Sequence, residues 1–212
     1  IARRQVSAGA DYLDLCAAAA LNEPESLAWL VETVQEFIDI PLSLDTASIA
    51  ALRRAAPLCR NRPLYNSYSG ALDHPDEFQA LCADYSPAGV VVLCLDRSGT
   101  RITPAERVEI ASRLADELTA SGVDLENLIF DPIALPAISC ELPQPGTLET
   151  IGALRQRFPQ SRILCAVGNV GYGHAARRSL EREFALAARD AGADTFLCDL
   201  LDTILLDRLR SQ

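Results

Sequence analysis

The chain has 212 residues, 49% of them hydrophobic and 23% charged, a balance that fits a soluble globular domain with one substantial core. Its formal net charge of −10 argues against nucleic acid, whose binders need a basic face, and no polybasic patch offers itself to a membrane. No apolar run approaches the roughly 18 residues of a membrane span, and Arg3-Arg4 leads into no uninterrupted apolar stretch, so no signal peptide is expected.

Residues 1–7 read as the tail of a helix, which Ala8-Gly-Ala-Asp11 breaks. Tyr12 to Cys16 is the first strand, and a helix follows over Leu27 to Ile38, where Leu27, Leu30, Val31, Val34 and Ile38 recur at helical spacing. Trp29 falls in this amphipathic helix and reads as a packing residue. Pro41 to Asp45 is a strand and Ala47 to Ala55 a short helix. Pro63 to Asn66 is the third strand, leading to a helix near Pro75 to Tyr85. Gly89 to Leu95 is a continuous apolar run of the kind buried on both faces.

Thr103-Pro-Ala-Glu106 is the clearest helix start, with Thr103 as N-cap, Pro104 in the first turn and Glu106 placed for a capping box. Ile110, Ala111, Leu114 and Leu118 give its buried stripe, and Gly122 ends it. Leu128 to Asp131 is a strand, Leu148 to Phe158 a helix, and Arg162 to Val167 a strand again. Gly173 to Ala191 reads as helix, Thr195 to Asp199 as the last strand, and Leu201 to Leu209 as a closing helix.

Seven apolar runs thus stop at residues that offer a polar atom: Asp14/Cys16, Asp45, Asn66, Asp96, Asp131, Asn169 and Asp199. Strand, polar tip and helix in repetition predict a single parallel α/β domain over 1–212, a (βα)8 TIM barrel with its chemistry at the strand C-termini. A barrel begins with a strand and none precedes the opening helix, so a first strand and most of its helix are expected to lie outside this chain. The alternative is an open doubly wound sheet, although the Gly-x-Gly-x-x-Gly fingerprint is absent. Seven cysteines lie scattered without a C-x-x-C pair, and Cys94, Cys165 and Cys198 sit in apolar runs, so the thiols are expected to be reduced in a cytoplasmic protein.

At the rim, Asp45, Asn66, Asp131 and Asn169 form a mixed set of two acids and two carboxamides. A flat heterocycle with N–H donors and ring acceptors is the ligand such a set would read. Each residue alone also serves as a helix cap or turn former. Asp131-Pro132 holds its carboxylate at the mouth, because the proline stiffens the turn and removes a competing N–H. Gly168, Gly171 and Gly173 around Asn169 suit either a close backbone approach to a ligand or a tight turn. His74 and His174 have no second ligand at metal spacing, no metal site is expected, and Arg177-Arg178 reads as a solvated helix face.

Six segments carry a resemblance: Gly9-Ala-Asp-Tyr-Leu-Asp-Leu15, Leu42-Ser-Leu-Asp-Thr46, Tyr65-Asn-Ser67, Phe130-Asp-Pro-Ile-Ala-Leu-Pro136, Gly168-Asn-Val-Gly-Tyr-Gly173 and Ala191-Gly-Ala-Asp194. Over nearly its whole length the chain resembles the pterin-binding barrels, and among them the methyltetrahydrofolate:corrinoid methyltransferases. The resemblance implies that Asp45, Asn66 and Asp131, with Asp14 and Gly168, contact the pterin of methyltetrahydrofolate or tetrahydrofolate. It implies that Asn169 sits near N5, in a hydrogen-bond network that strengthens as the methyl departs. It further implies that a partner corrinoid protein supplies the cobalamin-type Co(I) nucleophile, that the reaction is a direct displacement, and that the chain forms a homodimer. Cys16 stands where family members commonly carry Asn, and Tyr172 where some carry a polar amide. Dihydropteroate synthase is the nearest rival. Its Ser-Arg-Lys type segment and Arg-x-His are replaced here by Gly168-Asn-Val170 and Cys198-Asp-Leu200, which offer no cation. A catalytically weak folate-binding protein is the other alternative.

Overall fold

A computed structural model describes residues 1–99, 103–139 and 145–211. Among these, seven strands alternate with helices: β1 (Leu13–Cys16), β2 (Leu42–Asp45), β3 (Leu64–Gly70), β4 (Gly89–Asp96), β5 (Leu128–Asp131), β6 (Arg162–Ala166) and β7 (Thr195–Leu197). Each strand pairs in parallel with its successor, giving one sheet in the order β1 to β7. The helices are α1 (Ala2–Ser7), α2 (Glu23–Gln35), α3 (Ile49–Ala55), α4 (Pro75–Tyr85), α5 (Pro104–Ala120), α6 (Pro145–Arg157), α7 (Val167–Val170), α8 (Arg177–Ala191) and α9 (Thr203–Arg210). None of the helices in the described residues is long and apolar enough to cross a membrane.

The sheet curls until its two ends come near each other. Gln5 of α1 donates from Nε2 to Asp199 Oδ1 at 2.8 Å, and its Oε1 accepts from the Leu200 N–H at 2.9 Å, joining residues nearly 200 positions apart across the gap between β7 and β1. The result is a nearly closed α/β barrel, the architecture expected from the strand–helix rhythm.

Its two cores separate cleanly. Leu64, Val91, Ile129 and Leu164, one each from β3 to β6, pack together inside the barrel. A larger layer, including Tyr65, Val90, Val92, Phe130 and Ile163, lies between the sheet and the helices. The alternation of these residues along each strand is the period of two that a pleated backbone imposes. β4 has no polar residue before Asp96 because both of its faces are covered. Its first residue, Gly89, admits no side chain: a Cβ there would lie 2.8 Å from Asn127 O and 2.9 Å from the Arg162 guanidinium.

The capping box at Thr103 and Glu106 is present, and Ile110, Ala111, Leu114 and Leu118 are buried as their spacing predicts. Parts of the chain depart from the sequence reading. α2 starts at Glu23, earlier than Leu27, because Glu23, Pro24 and Glu25 suit a first turn facing the positive end of the helix dipole. β3 runs on to Gly70, past Asn66, through two register shifts against β4. The segment after β6 breaks into the single turn α7 and, from Arg177, the helix α8. Trp29 is 61% exposed rather than packed, because α2 directs Leu27, Ala28 and Val31 inward.

Ile129 has no exposed surface and fills the barrel interior directly below Asp131. Replacing it with alanine is expected to cost roughly 2–5 kcal/mol, since a close-packed interior relaxes only partly around a cavity. Urea unfolding monitored by circular dichroism measures this, and a loss under 1 kcal/mol would mean that the interior is not packed as described.

Candidate functional site

A parallel sheet sends all its strand C-termini to one end, and polar side chains collect there. Inward-facing positions repeat every second residue, so Ser43 and Asp45 share a face of β2, Leu64 and Asn66 a face of β3, and Ile129 and Asp131 a face of β5. In each of these strands the residue nearer the rim is the polar one that the sequence singled out.

The first three strands build one polar cluster. Register sets Cys16 opposite Asp45 and Asp45 opposite Asn66. Asn66 Nδ2 donates to Asp14 Oδ1 at 3.3 Å, so Asp14 sits against the amide of Asn66. Burial raises the Asp14 pKa, and the neighbouring Asp45 charge raises it further, while hydrogen bonds from Ser43 and Asn66 oppose the rise. Asp45 is raised in turn, first by burial and then by the charge of Glu23, with the Cys16 thiol lowering it. Asp14 therefore holds its proton more tightly for having the Asp45 charge beside it. The exit of β2 is fixed to its neighbours: the Thr46 N–H donates to Asn66 O at 2.7 Å, and the Thr46 hydroxyl donates to Glu23 in the first turn of α2.

Asp131 ends β5, two strands from Asn66, or about 10 Å across the sheet. It is buried, at 7% exposure, and its Oδ1 accepts the Ile133 N–H at 2.7 Å. Burial raises its pKa from the ordinary 3.8 to about 6, against the lowering effect of the Ile133 N–H and of the Arg107 charge. A carboxyl poised near neutrality accepts a hydrogen bond when ionised and can donate one when protonated.

Asn169 lies in α7, one helical turn beyond β6, and its side chain is exposed. The glycines around it serve close packing of the chain itself. A Cβ on Gly171 would lie 2.6 Å from Arg177 Cγ, and one on Gly173, whose φ is +72°, would lie 2.7 Å from Ile138. Gly168 has more room, its nearest neighbour being the Arg177 guanidinium at 3.6 Å. Gly168 also lines a cleft of about 370 Å³ with Arg177, Arg178, Cys198, Asp199 and Asp202. Arg177 and Arg178 are solvent-exposed, as their place on the helix suggests, and each also faces an acid. Arg177 donates to Glu181 at 2.6 Å, and Arg178 stands 3.6 Å from Asp202, which Arg182 also clasps through two nitrogens. A larger groove of about 650 Å³, between the starts of α3 and α4, contains none of the predicted site residues.

The structure thus brings Asp14, Asp45 and Asn66 together, sets Asp131 on the same rim, and carries Asn169 and Gly168 on the next exit after it. Asp96 and Asp199 stand apart. Asp96 accepts from Ser98 and faces Arg113, and Asp199 accepts from Gln5. The sequence reading passed over Ser43 and Arg107. Both carry a signal: Ser43 alternates with Asp45, and Arg107 precedes Ile110 and Leu114 by three and seven residues, on the buried stripe of α5. Among the described residues no three His, Cys, Asp or Glu side chains gather at metal-binding spacing, and the six cysteines there are free.

Comparison with known proteins gives a consistent answer. The family model described as "Pterin binding enzyme" matches residues 1–199. The methylcorrinoid:tetrahydrofolate methyltransferase of Eubacterium limosum is 29% identical over 198 residues, which are 92% of this chain and 73% of that protein. Methionine synthase of Mycobacterium tuberculosis is 27% identical over 99% of this chain, which spans only 18% of that longer enzyme. Among solved structures, a dihydropteroate synthase from Xanthomonas albilineans superposes with a TM-score of 0.73 at 17% identity, covering 98% of this chain and 82% of the other. The Yersinia pestis enzyme bound to a pterine–sulfa conjugate gives 0.71, also at 17% identity, over 98% and 87%. At such identities the superpositions speak for the fold alone.

A carboxyl with a folded pKa raised from 3.8 to about 6 contributes stability that is full below its unfolded value and is lost as pH rises through 6. Relative to an Asp131→Asn variant, the wild-type protein is therefore expected to lose stability between about pH 4 and pH 6 and to stay level on either side. Thermal unfolding across that range tests this. Parallel curves for the two proteins would place the Asp131 titration at its ordinary value.

Proposed function

The chain belongs to the pterin-binding enzymes, and from that premise we propose that it is a methyltransferase moving the N5-methyl group between methyltetrahydrofolate and the cobalt of a protein-bound corrinoid. The observation that carries this reading is the rim itself: Asp45, Asn66 and Asp131 face one mouth from β2, β3 and β5, with the Asn169 amide on the next exit. A pterin presents amide and amine N–H donors along one edge and ring acceptors beside them. Carboxylates take the donors, and the Asn66 amide can serve either kind of group. Asp14 accepts a hydrogen bond from the Asn66 amide.

The corrinoid, carried by a partner protein, supplies the cobalt that gains or gives up the methyl. This chain's task is to orient the folate and to manage one proton. A tertiary amine is a poor leaving group, so N5 must gain or share a proton as its bond to the methyl breaks. Asn169 is exposed at the mouth and its amide N–H can hydrogen-bond to N5. Such a donor acts most strongly on the charge that develops during transfer, which speeds the reaction without tightening ground-state binding.

Two observations favour this reading over a dihydropteroate synthase-like one. The methyltransferase from E. limosum shares 29% identity over most of both chains, whereas the two synthases compared above share 17%. Arg177 and Arg178, the cations beside Gly168, face Glu181 and Asp202 and so leave little net charge for a pyrophosphate.

Asn169→Ala is expected to slow methyl transfer to cobalamin by about two to three powers of ten while changing folate affinity little, as loss of a transition-state donor does. Unchanged turnover would remove Asn169 from the reaction. Asp131→Ala should instead weaken methyltetrahydrofolate binding about ten- to a hundredfold by calorimetry, because a buried pterin donor loses its acceptor. Tight folate binding by the wild-type protein with no transfer to either free cobalamin or a corrinoid protein would mark the chain as a folate binder.

A further inference from the structure

Arg107 is a charge placed where charges are rare. It is 6% exposed, on the inner face of α5, in the company of Ile110 and Ala111. Its Nη1 donates to Pro132 O at 2.9 Å and to Ile133 O at 3.3 Å, and lies 3.4 Å from the Thr147 hydroxyl. Thr147, in the first turn of α6, donates to the same Ile133 carbonyl at 3.0 Å. Two helices therefore grip one short segment of backbone.

That segment needs gripping. Ile133 has a φ of +66°, in the left-handed region where a β-branched side chain is disfavoured. Such a conformation persists only where its surroundings over-determine it, and it tends to mark a working site. The Ile133 N–H, held in that orientation, is the donor that Asp131 Oδ1 accepts at 2.7 Å. Pro132 between them has no N–H to compete and a fixed φ of its own. The chain of contacts runs from guanidinium to carbonyls, from carbonyls to a constrained peptide, and from that peptide's N–H to the carboxylate.

We propose that Arg107 is a positioning residue for Asp131: it clamps the Pro132 and Ile133 carbonyls, holds Ile133 left-handed, and so aims the Asp131 carboxylate into the mouth of the barrel. The consequence for pterin recognition rests on the function proposed above, while the clamp itself does not. The clamp is also electrostatic, since the guanidinium charge opposes the rise in Asp131 pKa that burial causes. Among the described residues, the other titratable groups coupled to Asp131 are the thiols of Cys94 on β4 and Cys165 on β6, both pushed upward by burial and neutral throughout the relevant range.

The experiment has two readouts on the full chain. Carbon-detected NMR of labelled aspartate gives the Asp131 midpoint directly, with Asp131→Asn identifying the resonance. Calorimetry gives methyltetrahydrofolate affinity at pH 7. Arg107→Met is expected to move the Asp131 midpoint upward by roughly half a unit or more, and Arg107→Lys to keep it near the wild-type value. Affinity should fall about tenfold in Arg107→Met, and the same change made in an Asp131→Asn background should cost nothing further, because a residue that acts through another is silent once the other is gone. Should the Met variant fail to fold, the Lys variant carries the same comparison, with a loss of roughly threefold that vanishes in the Asp131→Asn background. An unmoved midpoint in a folded Met variant, or an equal loss of affinity in both backgrounds, overturns the proposal. A wild-type chain that binds no methyltetrahydrofolate would end the functional reading, and the Asp131 midpoint alone would then decide the clamp.

Discussion

Side chains on a strand repeat every two residues, and in a nearly closed parallel barrel that period ties the interior to the mouth. Leu64 and Ile129 fill the inside of the barrel, which obliges Asn66 and Asp131, two positions on, to face the same way at the rim. A slip of one residue would bury the polar groups among the helices and turn Tyr65 and Phe130 into the mouth. The packing of the interior layer and the composition of the site are therefore one constraint. The helical layer depends on it too, since Tyr65, Val90, Val92, Phe130 and Ile163 supply its inner surface.

That constraint costs free energy at the rim. Carboxyl groups drawn in at the rim lose hydration, which raises the pKa of Asp14, Asp45 and above all Asp131. The protein offsets the cost locally, by Ser43 and Asn66 around Asp14, by the Cys16 thiol beside Asp45, and by the Ile133 N–H and Arg107 around Asp131. The offset is incomplete, so all three acids hold their protons more tightly than an ordinary carboxyl. Sites that bind neutral, donor-rich heterocycles gain from this compromise. A fully satisfied carboxylate would have nothing left to offer, and an unsatisfied one would not stay ionised.

The fold was legible because hydrophobic periodicity is local. The continuous apolar run of β4, the capping box of α5 and the buried stripe behind it can be read from a dozen residues at a time, and the structure has them where they were read. Errors fell where local signals were weak or competing. The helix read from Gly173 begins only at Arg177, and the separate turn α7 precedes it, because Gly171 and Gly173 bring the chain back against Arg177 and Ile138. Trp29 looked like core on hydrophobicity alone, yet one position of helical phase leaves it in solvent.

The sequence by itself determined the parallel strand–helix order and the polar residue at the end of each apolar run, since both follow from side-chain period and backbone propensity within a short window. Only the tertiary structure decided which tips meet. Asp14 with Asn66 and Cys16 with Asp45 depend on strand register across residues tens of positions apart, and the seam at Gln5 and Asp199 depends on the curl of the whole sheet. The distant neighbour of Asp131 was settled in the same way. Arg107 has the look of an ordinary helical arginine until α5 packs against the end of β5 and its guanidinium meets the Pro132 and Ile133 carbonyls. Contacts between distant segments are fixed by the packing of the assembled barrel, and no window of sequence contains both partners.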